Sequence, residues 1–589
     1  MGGANFAGTC IDGVSSENID LAFEPRSGNF KGHEEIGKLN NGANPNGNWL
    51  LTIEDNFWGD EANLTALSLT FSNDPASYFT MQHSKLPIMI INAASEIGDE
   101  PKVMADMKLI YNGPGAINHI TDSPNAYNGK IGIETRGDFS ASLPQKSYAV
   151  ELWDNSMQEI EQELLGMPAE KDWVLIANYN DKSFSRNILA QRLFGEMGHY
   201  AVRCRLVDVV LNNHYEGIYL LMEKIKRDSN RVDVPKLNPT EISGVERTGG
   251  YIFKFEYSTE SEIDHFYLPN NTTPMVYYYP QPEILATEQK NYLQQYLNDF
   301  ETSLFSAQFA DPVNGFRKFI KEESFIDYLL MSEFSMNGDG YLKSRYFSKK
   351  KDNIDGTYSP FKAGPVWDFD WSMKYYSDLP DAVQGFNYGY AGLGGDAWYL
   401  RMMEDPTFVN EVRCRYNVLR SSVLSDNHID AVIDSVAAYV SESQQWHFDT
   451  WQNLGIVTGS PEIYASLTYA EEIQRLKTLL HARLDWMDDN LPGTPVNCNL
   501  GTDELSATQP LVYPNPFNDQ LTIQWTEDFS DATIRLTDAT GRIIQVWQKI
   551  QPTDGTVKLS LSSTGELSSG IFYLTIEKAT IISTVKVLH

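Results

Sequence analysis

The segment Ala363-Gly364-Pro365-Val366-Trp367-Asp368-Phe369-Asp370-Trp371 alternates two aspartates with three aromatics. Laid out as a strand, it puts Asp368 and Asp370 on one face and buries Trp367, Phe369 and Trp371 on the other. Two like charges on one face repel each other, and a divalent cation relieves that repulsion. A solvent-facing acidic pair on an amphipathic strand has the same pattern, so spacing alone leaves the two readings level. Upstream, Asn337-Gly338-Asp339-Gly340 follows a helix ending near Met336, and its glycines predict a sharp loop presenting Asp339 with little side-chain cover. Without context this is a plain turn. Taken together, the motifs suit a hard, oxygen-seeking ion such as Mg²⁺. Phosphoryl transfer would further require a cation for the phosphates, a loop covering them and a residue orienting the acceptor hydroxyl.

The elements that must position these residues are readable from periodicity. Ile131 to Gly137 reads as a strand entering a loop, and Lys146 to Leu152 alternates as the next strand. Ser185 to Met197 has apolar residues at helical spacing. Leu206 to Val210 and Tyr215 to Met222 predict a hairpin around Asn212-Asn213-His214, and helices are expected over Glu323 to Ser335 and Glu471 to Asn490. A strand-rich first part and a helix-rich second part predict an α+β, two-lobed body.

The chain has 589 residues, enough for three or four domains or for one large domain with small flanks. A hydrophobic content of 42% supports packed cores, and a net charge of −33 argues against a nucleic-acid partner. Cys10, Cys204, Cys414 and Cys498 form no CxxC pair, which disfavours a Cys-rich zinc site; their spacing leaves any disulfide pairing open. No run of 18 apolar residues exists, so no transmembrane segment is expected. The opening MGGANFAGTC has neither a basic region nor an apolar run, and the expectation is a truncated start.

Both ends read as β modules, giving an expected division into 1–75, 76–495, a linker at 496–510, and 511–589. Near the start, the runs Trp49 to Ile53 and Leu64 to Phe71 flank a turn-forming stretch and predict part of a β-sandwich. The stretch NPNGNWLLTIEDNFWGDEANLTALSLTF resembles the last two-thirds of a P domain (Homo B), an accessory module. The C-terminal module has short alternating strands separated by turns, as in an Ig-like sandwich. Its Tyr513-Pro514-Asn515-Pro516 opening, Asp538 to Arg542 turn and closing Ser569-Gly570-Ile571-Phe572-Tyr573 resemble the type A C-terminal sorting domain of type IX secretion in Bacteroidetes-like bacteria. That resemblance implies engagement of the type IX machinery, export across the outer membrane to the exterior or cell surface, and removal of this domain.

From about Leu86 to Leu491 the chain resembles CotH-type (spore coat protein H-like) kinases. The resemblance is carried by Lys130 to Gly137, Pro144-Gln145-Lys146-Ser147-Tyr148, the Asn178 to Ser183 loop and Arg186-Asn187. Tyr215 to Lys224, Gly249-Gly250-Tyr251-Ile252 and the two aspartate motifs complete it, in family order. It implies an atypical protein-kinase fold using ATP and Mg²⁺, with Asp339 orienting or deprotonating the acceptor hydroxyl, Asp368 holding the metal and Asp370 as a second ligand. It further implies Lys146, with Arg136 as helper, at the phosphates, and Met222 and Glu223 leading into a hinge beside the adenine. Two departures stand out. Gly137-Asp138-Phe139-Ser140-Ala141-Ser142 replaces a G-x-G-x-x-G loop, and Ser344 stands where ordinary kinases place an Asn on a second Mg²⁺. The charged run Glu223 to Asp228 reads as a solvated strand end. The expected function is phosphorylation of Ser or Thr hydroxyls on exported or surface proteins. The alternatives are a catalytically inactive kinase-like adhesion module and a carbohydrate-active enzyme using paired acids.

Overall fold

In the computed structural model the described residues are 79–494 (except 138, 257–263, 391–395 and 460–461), residue 498, the strands and adjoining residues between 510 and 588, and a few residues before 79. The P-domain-like stretch lies almost wholly outside them. The chain divides into two compact units, Met1–Val496 and Asn497–His589.

In the first unit, seven strands close into a barrel: β1 (Ile88–Ala93), β2 (Val103–Ile110), β3 (Tyr127–Arg136), β4 (Ser147–Trp153), β5 (Asp172–Ala177), β6 (Cys204–Leu211) and β7 (His214–Glu223). Their order is β5-β7-β6-β1-β2-β3-β4, and β4 pairs back to β5. Only β6 and β1 run parallel, with Asp208 opposite Ile88. Met89, Ile91, Leu152, Leu175 and Leu221 are completely buried in one core cluster, each side chain contributing about 1.5–3 kcal/mol by leaving water. Gly132 is set by close packing: a β-carbon there would lie 2.3 Å from the Trp153 indole of the neighbouring strand. The predicted hairpin is β6–β7. Leu211 pairs with His214, and Asn212 and Asn213 both take positive φ (49° and 69°), as a two-residue type I′ turn requires.

The same unit holds a second sheet of β8 (Tyr251–Phe255), β9 (His265–Phe266), β10 (Met275–Tyr279), β11 (Arg345–Lys349) and β12 (Lys362–Ala363), in the order β9-β10-β8-β11-β12. Around it pack α1 (Arg186–Glu196), α2 (Thr287–Leu304), α3 (Glu322–Phe334), α4 (Pro406–Arg420), α5 (Asp426–Tyr439) and α7 (Tyr469–Asn490), with a short helix at Ala397–Met402, while α6 (Ser443–Trp451) packs on the barrel strand β7. α3 is buried on every side, from Ser324 to Phe334, with Asp327 and Glu333 held inside by Arg415 and Arg483. α7 starts with a capping box in which Thr468 and Glu471 satisfy each other's main-chain N–H groups. Mixed helices and sheets thus agree with the α+β expectation for the body.

The second unit has a three-stranded sheet, β13 (Leu511–Tyr513), β14 (Gln520–Gln524) and β17 (Thr556–Ser560), and a four-stranded one, β16 (Ile543–Trp547), β15 (Thr533–Asp538), β18 (Ile571–Lys578) and β19 (Ile581–Leu588). Inward residues of both sheets, among them Ile523, Leu559, Ile534 and Leu574, share one core. The turn residues Pro514-Asn515-Pro516, Ala539 to Arg542 and Ser569-Gly570 lie outside the described residues. Cys10 and Cys204 are free thiols.

Candidate active site

A cleft of about 200 Å³ opens where the end of the barrel meets the second sheet. The barrel contributes Arg136 from the end of β3, Ser147 from β4, and Ile176 and Ala177 from β5. The second sheet contributes Lys254 from β8 and Tyr346 from β11, with Glu256 directly after β8. Asp339, Lys343, Ser344, Trp367, Asp368, Asp370 and Trp371 complete the acidic side. The three aspartates singled out in the sequence therefore face one cleft, together with Arg136.

The acidic segment does not form the strand that alternation predicts. β12 ends at Ala363, and Asp368 takes φ 61°, which interrupts the pleat. Trp367 and Phe369 are nevertheless buried and Asp368 is exposed. Side chains of α1 hold the segment in place. Gln191 donates to the Val366 carbonyl (2.9 Å), the Phe369 N–H donates to Asn187 (2.9 Å), and Arg186 donates to the carbonyls of Ser372 (3.2 Å) and Met373 (3.3 Å). Arg186 is itself fixed by Asp181 (2.7 Å) and Glu472 (3.0 Å).

The Asp339 loop also differs from expectation. α3 ends at Phe334 and the chain turns at Met336, φ 53°, while Gly338 keeps an ordinary right-handed conformation. Asp339 opens a single 3₁₀ turn and forms an ion pair with Lys343 (3.3 Å). Gly340 is closely packed rather than held at positive φ: a β-carbon would lie 3.1 Å from the Asn337 amide, which would have to shift slightly. Met336, Ser344, Asp368 and Met373 all sit at positive φ without being glycine. Such conformations cost about 1–3 kcal/mol each and cluster at functional sites.

Electrostatics separate the two neighbouring aspartates. Asp370 is pushed up to about 6, first by desolvation and then by the charge of Asp368. Its carboxylate accepts from the Asn180 amide (3.1 Å). Asp368 accepts from Ser344 Oγ (3.1 Å). The oxygen donors suit a hard cation. Among the described residues no group of three or more His, Cys, Asp or Glu side chains is placed to hold a metal by itself. Mg²⁺ characteristically takes one or two carboxylates and completes its shell with phosphates and water, so these residues fit an ion brought with a nucleotide.

Other predicted residues lie elsewhere. Lys146 precedes β4 and does not line the cleft; its Nζ donates to the Ala141 carbonyl (2.7 Å), tying down the Phe139–Ser142 turn. The alternation that turns Gln145 and Ser147 to the cleft turns Lys146 away. Met222 is buried behind the wall, in a core cluster shared with Trp367 and Tyr346. Glu223 is completely buried and paired with Arg203 (2.8 Å) and Arg231 (3.3 Å), while Lys226 pairs with Glu170 (3.0 Å) and Asp172 (2.6 Å). The Glu223 to Asp228 run is thus an ion-pair network and not a solvated strand end. The cleft's strand lysine is Lys254, 2.5 Å from Glu256. Sequence reading missed it, although Tyr251-Ile252-Phe253-Lys254-Phe255-Glu256 carries the signal: a lone Lys-x-Glu pair on one face of an otherwise apolar, aromatic strand.

Barrel, second sheet and acidic cleft, with a separate C-terminal β unit, define a multi-domain α/β protein with a carboxylate-lined cleft. The chain belongs to the CotH kinase protein family, whose model matches residues 133–487, more than half its length and every residue lining the cleft. Residues 511–588 match the secretion system C-terminal sorting domain, the type IX tail. The protein is accordingly secreted to the cell surface or exterior, and no described helix is long and apolar enough to cross a membrane. Neither match reaches the P-domain-like stretch. No match was found among curated proteins.

Proposed function

We propose that this protein is a secreted kinase that uses ATP and Mg²⁺ to phosphorylate Ser or Thr hydroxyls of exported or surface proteins. The observation carrying this reading is the convergence of Asp339, Asp368 and Asp370 with Lys254 and Arg136 on one cleft. In this reading the barrel and the helix-packed second sheet are the two lobes. Asp368 and Asp370 hold Mg²⁺, which supplies charge neutralisation for the transferring phosphoryl group. Lys254, kept in place by Glu256, and Arg136 face the phosphates, taking the part expected of Lys146. Asp339 stands in the turn after α3 to accept the hydrogen bond of the acceptor hydroxyl and orient it for attack. Lys343 beside it holds the carboxylate in position. Ser344 donates to Asp368 and so fixes the ligand rotamer instead of adding a second amide-held metal.

The test is transfer of labelled γ-phosphate from ATP to secreted proteins of the native host. Label should appear on Ser or Thr with the wild type and disappear with Asp339→Asn. Binding of ATP with no transfer to any exported protein would favour the adhesion-module reading. The sorting tail leads to a separate expectation: by intact mass, protein from the native medium should lack roughly residues 511–589.

A further inference from the structure

Behind the cleft, one buried cation has no part in the proposed chemistry. Lys374 is 1% exposed, does not line the cleft, and stacks its ammonium 4.3 Å from the Trp371 ring centroid. Its Nζ donates to Asn180 Oδ1 (2.5 Å) and to the Asn180 carbonyl (3.1 Å), and lies 3.4 Å from Glu462. A lysine so buried is costly, and desolvation brings its pKa down to about 8.

The chemistry of the amide gives this arrangement a direction. An ammonium can only donate, so it fixes the oxygen of the Asn180 side chain on the Lys374 side. The amide nitrogen must then face Asp370, which is where its 3.1 Å hydrogen bond is found. Turned the other way, Asn180 would present a carbonyl oxygen to a carboxylate that already faces Asp368. We propose that Lys374 is a positioning residue, locking the Asn180 amide so that its N–H holds Asp370 ready to ligate Mg²⁺. The inference rests on the kinase reading and adds to it the device that keeps two like-charged ligands side by side.

The test is a Mg²⁺ titration of ATP-dependent thermal stabilisation in the full chain, for wild type, Lys374→Met, Asn180→Ala and the double variant. Outer-shell partners of metal ligands typically change metal affinity 10–100-fold. Each single variant should therefore raise the Mg²⁺ concentration for half-maximal stabilisation about tenfold, and the double variant should be no worse than Asn180→Ala. Melting without ligand reports folding for each variant; if Lys374→Met does not fold, Asn180→Ala alone must show the shift. Losses that add in the double variant, or an unchanged Mg²⁺ requirement in folded single variants, overturn the inference while leaving the kinase reading intact. A wild type with no Mg²⁺-dependent stabilisation overturns both.

Discussion

Two aspartates in this protein are both pushed up to about 6, each first by desolvation, yet they sit among very different partners. Asp208, on β6, is completely buried and accepts hydrogen bonds from Ser84 (2.5 Å), Ser443 (2.6 Å) and Tyr215 (2.6 Å). It rises to about 6 through desolvation, and those hydroxyls hold it lower than burial alone would. Asp370 also rises to about 6, but it has one side-chain amide donor and a like charge beside it. Asp208 is a satisfied carboxylate that fastens the residues before β1, the barrel and α6 together. Asp370 is held next to a charge it repels, in a segment anchored on strained backbone. A raised pKa therefore does not by itself separate a structural carboxylate from one that faces a cleft; the partners around it do.

That contrast predicts very different responses to substitution. Asp208→Leu leaves three buried hydroxyls without their acceptor and should lower unfolding stability by roughly 3 kcal/mol or more, read from a urea midpoint. Loss below about 1 kcal/mol would remove Asp208 from the structural side of the comparison. The pH response is the next largest effect. With a folded pKa of about 6 against about 3.9 unfolded, native Asp208 binds a proton that the unfolded chain releases. Its contribution is fully present below pH 4 and is lost as pH rises through about 6, roughly 2–3 kcal/mol in all. Asp208→Asn should flatten the wild-type stability difference between pH 4.5 and 7.5 by that order.

Asp370→Asn should behave in the opposite way. Removing its charge relieves the repulsion from Asp368, so stability without ligand should stay within about 1 kcal/mol of wild type, while stabilisation by ATP with Mg²⁺ falls. A smaller effect separates two lysines. Lys254→Ala should weaken ATP binding about tenfold by loss of a phosphate-facing cation, whereas Lys146→Ala should leave it within about twofold and cost under about 1 kcal/mol of stability. Isothermal titration of both variants checks this, and the reverse ranking would restore the sequence-based assignment of Lys146.

Much of this framework was legible in the sequence because its signals are local. The α1 helix and the Asn212-Asn213 hairpin follow from periodicity and turn chemistry, and α7 fills the span expected for it. The aspartates were singled out because their two short motifs fall in family order with the rest of the resemblance; spacing alone left them level with a solvent-facing pair and a plain turn. Barrel closure was not legible, since it depends on β6 pairing in parallel with β1 across a long stretch of chain. The Asp368 segment was misread as a strand because alternation is blind to one residue at positive φ. Lys254 was overlooked because Lys146 lay in the stretch that carries the family resemblance, although strand alternation already turned the neighbours of Lys146, and not Lys146, to one face.

The measurement that bears most directly on the central claim is ligand-dependent melting. A ligand that binds only the native state stabilises it by about 2.7 kcal/mol at a hundredfold excess over Kd. ATP with Mg²⁺ should raise the melting temperature of the wild type, and ATP with EDTA should not. Asp368→Asn should abolish the shift without unfolding the protein, and Asp339→Asn should keep the shift yet lose phosphate transfer. A wild type that shows no Mg²⁺-dependent shift at millimolar ATP would contradict the account and leave the cleft to a binding role.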